Sequence, residues 1–356
     1  MAAECNVSEV IVGQRTRAVV LENDLLRAVI LADKGADVYE LVYKPAGVDV
    51  LFKAPWGFRE LGTVAGYAPT SQMAMVDHYA GGWQELLPNF ALPSSFRGVE
   101  WPFHGELLTA GWDYRILQNN SRRASVRFEI GLTRTPFHLE RTMTVEAGRP
   151  EILVQERLTN FGDSEMPYTW GQHPGFGAPF LSADCWIDVP AKKYRVEMPQ
   201  VYPDRTWMPD EGEWPWPNVV GRDGQSHDMR QVPGPQSKLN TLGLALGLDE
   251  GWYGLTNRKL GFGVGFVWPE NVFPYLWILQ ELNSTPSYPW YGRGYVLALE
   301  FISSPTAGGI GETIEAGAER RIPAGGTQEV ELRCLFYQSA KGVDRIRPDG
   351  AVEVRK

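Results

Sequence analysis

The sequence predicts an all-β fold, a sandwich of many strands, and three observations carry that prediction. Apolar and polar residues alternate with a period of two through segment after segment, as half-buried strands do. Helical periodicity flanked by caps is scarce. The chain also holds 38 glycines and 26 prolines, which punctuate short strands rather than long helices.

Ser125 to Ile130 and Phe137 to Val145 alternate in this way, and Glu151 to Thr159 follows the turn-forming Gly148-Arg149-Pro150. Further on, Val330, Leu332, Cys334 and Phe336 share one face, opposed by Glu329, Glu331 and Arg333. Leu25 to Leu31, Gly261 to Trp268, Tyr275 to Leu279 and Tyr295 to Phe301 are more continuously apolar, as central strands buried on both faces are. Two regions break the rhythm. Ala65 to Leu87 is expected to form a loop with a short helix. Tyr202 to Gln236, which includes Trp214-Pro215-Trp216-Pro217, is expected to be an ordered surface excursion, a lid or an edge-covering flap. With no internal repeat, low-complexity tract or linker, residues 1–356 are expected to form a single domain.

Composition narrows the function. A formal charge of −9 argues against a nucleic-acid partner, because phosphate binding needs clustered Lys and Arg, and Arg320-Arg321 stands alone. Cys5, Cys185 and Cys334 are an odd number without CxxC spacing. They suit a reducing compartment and argue against a disulfide framework or a zinc site. The opening residues lack a secretory signal, and no segment approaches the roughly 20 apolar residues that span a bilayer. A cytoplasmic location without a membrane partner is expected; a homodimer is compatible with this composition. The 13 Trp, 14 Tyr and 15 Phe either stack on sugar rings or simply fill a large β core.

Chemistry is suggested first by Tyr168-Thr169-Trp170-Gly171-Gln172-His173-Pro174-Gly175, where one of only five histidines follows a strand-like run. An imidazole so placed exchanges protons near neutral pH, or else it merely holds the turn around Pro174. Glu300 ends the apolar run from Tyr295, so its carboxyl either faces a cleft, forms a structural ion pair, or is expensively buried. His104 sits among Trp101, Pro102 and Phe103. Gln84 and Glu85 follow Trp83 and are placed to bind hydroxyls, although Glu85 could equally cap a helical turn. Trp277 and Gln280 lie on a strand before Glu300. Arg293, between Gly292 and Gly294, suits an anionic substituent or a hairpin ion pair. His78 and His227 fall in loops without evident partners, and His138 alternates to the exposed side of a strand.

Several segments together resemble the aldose 1-epimerase (galactose mutarotase-like) family, in a divergent form. Glu22 to Ile30 followed by Lys34-Gly35-Ala36 is similar to that family's opening strand and glycine turn. Gly81-Gly82-Trp83-Gln84-Glu85 resembles the stretch lining its pocket, and His104-Gly105-Glu106 its "HG" element. Trp170 to Pro174 resembles the strand leading to its "HP" histidine. Leu297-Ala298-Leu299-Glu300 resembles the late strand ending in a glutamate, and Ile322 to Gly326 the closing segment. The Asn-Arg element before the "HG" histidine is not evident, and Asp249 is an unconvincing match for the substrate-binding aspartate. The resemblance implies a galactose mutarotase-like β-supersandwich with few short helices, a carbohydrate substrate and no cofactor. It implies Glu300 as general base and His173 as general acid, on opposite sides of a pyranose whose anomers they interconvert, with His104 binding substrate. Two other functions compete. A metal-dependent sugar isomerase would use His104, Glu106 and His173 as ligands. A non-catalytic carbohydrate-binding module would keep the pocket without turnover. Glycoside hydrolysis is weaker, since it normally wants two carboxylates.

Overall fold

A computed structural model describes residues 4–62, 68–197 and 202–356. Among these, alternation has built two large sheets in which every strand pairing is antiparallel. The first has twelve strands. Its order is Asn6–Val12, Thr16–Glu22, Leu26–Leu31, Asp37–Tyr43, Trp83–Leu86, Gly171–Gly177, Tyr295–Ile302, Tyr275–Leu282, Leu239–Leu246, Lys193–Val196 and Gly212–Pro215, with Val48–Asp49 beside Asp37–Tyr43. The second has eight, in the order Cys185–Asp188, Trp252–Asn257, Phe262–Val267, Thr327–Gln338, Glu151–Asn160, Phe137–Glu146, Arg123–Gly131 and Asp113–Asn120.

The half-buried strands behave as their patterns demand. Phe137–Glu146 alternates buried Phe137, Leu139, Arg141 and Met143 with half-exposed partners. The continuously apolar runs are buried throughout: all six residues of Phe262–Val267 are inside. The sheets meet face to face. Phe266 of the second sheet packs edge-on to Trp83 of the first, with ring centroids 4.8 Å apart, and also against Phe301 at 5.6 Å. Trp268 stacks on Phe301 at 4.4 Å and an interplanar angle of 6°. Each such aromatic is worth roughly 1.5–3 kcal/mol for leaving water, and together they hold the sandwich shut.

Helix is confined to two seven-residue α-helices, Ser71–Asp77 and Gly309–Glu315, and one short 3-10 turn among the described residues. The first realises the helix expected within residues 65–87, of which 65–67 lie outside the described residues. Thr70 caps it by accepting a hydrogen bond from the Met73 amide. None of its residues is fully buried. The excursion from Tyr202 is ordered. Gly212–Pro215 extends the edge of the first sheet by pairing with Lys193–Val196, and Asn218–Val220 pairs with Ser226–Asp228. Met208, Val219, Met229 and Val232 are buried in the main core. This covers an edge, the flap of the two expectations. His227 is not partnerless: it stacks on Trp207 at 3.8 Å and meets Asp223 at 3.1 Å. The three cysteines are free and buried. No helix among the described residues is long and apolar enough to cross a membrane.

Candidate active site

Strand register decides which side chains share a face of the first sheet. Gln172 pairs with Phe301 and Gly175 with Ala298, which sets His173 opposite Glu300 on neighbouring strands. His173 also pairs with Gln84, and Glu300 with Trp277. Val38 pairs with Trp83, which brings Asp37 beside Gln84. One row therefore crosses five strands on the face away from the second sheet: Asp37, Gln84, His173, Glu300, Trp277.

At its centre His173 Nε2 lies 3.3 Å from Glu300 Oε1. Both side chains are nearly excluded from water, with residue exposures of 8% and 4%. Burial penalises charge on each. It raises Glu300 from its ordinary 4.5 to about 8 and lowers His173 from 6.5 to about 4. Near neutral pH the pair thus holds one proton, resting on the carboxyl, with the imidazole neutral. The expectation that a sugar ring lies between the two groups is corrected, because 3.3 Å leaves room for no ring. The two groups stand side by side on one face of the sheet.

His104 approaches from the Leu87 end of this face, where Gly105 bridges to Leu87. Its ring centroid is 5.3 Å from that of His173 and it packs against Phe90 and Phe103. The turn is tight. A Cβ on Gly105 would fall 2.1 Å from the Leu87 carbonyl oxygen, and His104 itself is held at φ +57°, which costs a non-glycine residue about 1 kcal/mol. Its Nδ1 accepts from the Ala91 amide at 3.3 Å, which assigns the hydrogen to Nε2. Burial, then the neighbouring His173, lowers its pKa well below 6.5, so His104 is a neutral N–H donor. Trp277 donates to the Ser304 carbonyl at 3.0 Å and packs on Phe90, completing an apolar wall with Leu86, Leu244 and Ile302.

Two of the expected ligands point the other way. Glu85 follows Gln84 on one strand and so faces the second sheet, where it accepts from Trp170 Nε1 at 2.7 Å and lies 3.6 Å from Arg141. Arg141 is wholly buried and also 3.3 Å from Glu156, whose pKa burial and Glu85 push well above 4.5. Glu85 belongs to this ionic core, on the face opposite Gln84 and His173. Gln280 is likewise turned inward, paired with Leu297 on the core face. Gln84 keeps to the site face, with its Nε2 bound to the Gly81 carbonyl at 2.7 Å and its Oε1 without a partner. Arg293 is exposed beside a recess of about 80 Å³, lined also by Trp56, Arg59, Asp77 and Tyr288, outside the row. Asp249 is exposed and paired with Lys192.

Glu106 does not join a metal cluster with His104 and His173. Its carboxylate accepts from the Thr133 and Arg134 amides at 2.9 and 2.8 Å and from Thr135 Oγ1 at 2.9 Å. Among the described residues no group of three or more His, Cys, Asp or Glu is placed to hold a metal ion. Asp37 was missed in the sequence. It is fully buried and paired with Lys34, and only its register beside Gln84 marks it.

No protein-family model matches the chain, and no curated protein matches it. Solved structures do. A provisionally assigned aldose 1-epimerase from Klebsiella pneumoniae superposes with a TM-score of 0.69 at 12% identity, over 94% of this chain and 84% of that one. A galactose mutarotase-like protein from Clostridium acetobutylicum gives 0.60 at 14% identity, over 94% and 99%. The fold is galactose mutarotase-like. A TPR-domain-containing protein from Parabacteroides distasonis also superposes, with a TM-score of 0.62 at 14% identity. The match takes in 97% of this chain but 53% of that one. The fold alone therefore does not fix an activity.

Proposed function

We propose that the protein is an aldose 1-epimerase-like isomerase that interconverts the α and β anomers of a monosaccharide or a close derivative. One observation carries the reading: an acid and a base, 3.3 Å apart in a dehydrated site, sharing one proton. The two oxygens of a hemiacetal hang on the same carbon, so a side-by-side pair addresses both. The base removes the proton from the C1 hydroxyl, the C1–ring-oxygen bond breaks as the carbonyl forms, and the acid protonates the departing ring oxygen. Rotation about C1–C2 and the reverse step give the other anomer. Protons and electrons balance without any co-reactant.

The resting proton sits on Glu300 in the empty site, the reverse of the role the resemblance implies. Sugar hydroxyls that donate to the carboxylate lower its pKa and favour transfer of that proton to His173. Glu300 then serves as base and His173 as acid, each worth roughly 10²–10⁴-fold. His104 Nε2–H is available to orient an oxygen of the sugar. A panel of neutral monosaccharides and sugar acids, followed by saturation-transfer NMR or polarimetry, tests the reading. Accelerated anomer exchange for at least one supports it; binding without exchange favours a carbohydrate-binding module.

A further inference from the structure

Tyr79 has no part in the chemistry so far. It lies between the Ser71–Asp77 helix and Gly81-Gly82, the glycine pair that opens the Gln84 strand. Its backbone is fixed at both ends: its amide donates to the Val76 carbonyl at 3.1 Å, and its carbonyl accepts from Trp56 Nε1 at 2.8 Å. The ring is fixed as well. It lies edge-on to His173 at 6.5 Å and to Trp290 at 6.3 Å, and stacks beside Phe52 at 6.4 Å.

This orientation carries the hydroxyl over Gly175, where an added Cβ would sit 3.3 Å from the phenol oxygen. Gly175 is on the face of His173, two residues along the strand, and pairs with Ala298, two residues from Glu300. The floor beside the catalytic pair is therefore made of two small residues, Gly175 and Ala298, at this end. At the other end Leu86, Phe90, Trp277 and Ile302 fill the space. A sugar whose anomeric carbon meets the pair and whose ring runs over Gly175 brings a hydroxyl within reach of Tyr79.

The phenol is ready for it. Tyr79 is 8% exposed, and no hydrogen bond joins its phenol to any described residue. Burial, then Glu300 and Asp37, raises its pKa, so it remains a donor at every working pH. The phenol oxygen is not sealed from solvent as those of Tyr194 and Tyr253 are, so a ligand oxygen can replace water as its acceptor.

We propose that Tyr79 contacts substrate, donating a hydrogen bond to one specific sugar hydroxyl and so fixing which way the ring lies across His173 and Glu300. This rests on the anomer-exchange reading above. The test compares wild type with Tyr79→Phe, which removes one oxygen, on the best aldose and each of its monodeoxy analogues. Wild type is expected to lose about tenfold in kcat/KM on one analogue, the usual scale of one hydrogen bond. The variant is expected to lose about as much on the parent sugar, treat that analogue and the parent alike, and keep its melting temperature. A second variant, Gly175→Ala, crowds the same spot and is expected to raise KM more than it lowers kcat. Tyr79→Phe with wild-type kcat/KM, or with an equal loss on the parent and every analogue, overturns the proposal. If wild type binds an aldose without exchanging it, the isomerase reading falls while the contact is still judged by binding: a weaker complex with Tyr79→Phe supports it and an equal one rejects it. A wild type that binds no aldose overturns both.

Discussion

Glu300 Oε1 and His173 Nε2 meet at 3.3 Å from opposed positions on adjacent strands, with almost no water to share. Among the described residues neither group has another charged partner, so each controls where the other keeps its proton. The pair is best treated as a single titrating unit.

Glu300→Gln and His173→Asn are each expected to slow anomer exchange by roughly 10²–10⁴-fold while circular dichroism stays native. The double variant is expected to be little worse than the poorer single one, since groups that act as a unit are not additive. Near-native exchange in either single variant removes that residue from the mechanism.

The pH dependence of the wild-type rate follows from the same proton. With Glu300 raised to about 8 and His173 lowered to about 4, one proton stays on the pair between those values. Exchange is expected to be flat from about pH 5 to 7 and to fall outside, as the second proton is gained or the last is lost. A single limb near 6.5, the ordinary imidazole value, would contradict this.

Stability carries a separate signature. The unfolded chain ionises Glu300 above its ordinary 4.5, whereas the folded protein keeps the proton to about 8, so this group's contribution declines as pH rises through that window. His173 acts oppositely: the unfolded imidazole protonates below 6.5 and the folded one only near 4, so stability declines on acidification between them. Melting curves of Glu300→Gln should therefore gain on wild type between pH 5 and pH 8. Parallel curves would place the Glu300 proton elsewhere.

Arg141 is wholly buried between Glu85 and Glu156. Arg141→Met alone strands two carboxyls and is expected to cost about 3–5 kcal/mol in urea denaturation. Adding Glu85→Gln and Glu156→Gln should recover most of that loss. A single variant as stable as wild type would show that the guanidinium holds nothing.

Gly171 lets the strands that carry His173 and Glu300 approach. A Cβ there would stand 2.8 Å from the Phe301 carbonyl oxygen and 2.2 Å from Ile302 Cδ1. Gly171→Ala is expected to lose about 1–3 kcal/mol and to impair exchange by spreading His173 from Glu300. A stable, fully active variant would mean that the sheet tolerates the wedge.

Much of this fold was legible because period-two alternation survives in Phe137–Glu146 and Thr327–Gln338, and because the long apolar runs are too short for anything but central strands. The bridging of His173 and Glu300 across 127 positions of chain came only through resemblance, since nothing local sets their register. Glu85 and Gln280 turn away from the row for one geometric reason. Gln84 and Glu85 are neighbours on a strand, and Trp277 and Gln280 are three apart, so within each couple one side chain must turn inward. The sequence marks both members as polar or aromatic but not which face meets the sugar. Asp37 and Tyr79 were hidden differently: one opens an ordinary strand and the other follows a helix, and only cross-strand pairing or ring packing sets them beside the site.

The alternation that divides the Gln84 strand and the His173 strand also limits how the molecule can change its length. Deleting one residue between Tyr168 and Gln172 would swing Pro174 into the imidazole's place and push the imidazole among the tryptophans. Insertions and deletions are thereby shut out of the interior strands and left to the outer connections, so lineages descended from this protein can differ widely in their loops while the spacing inside 171–177 and 295–302 stays frozen.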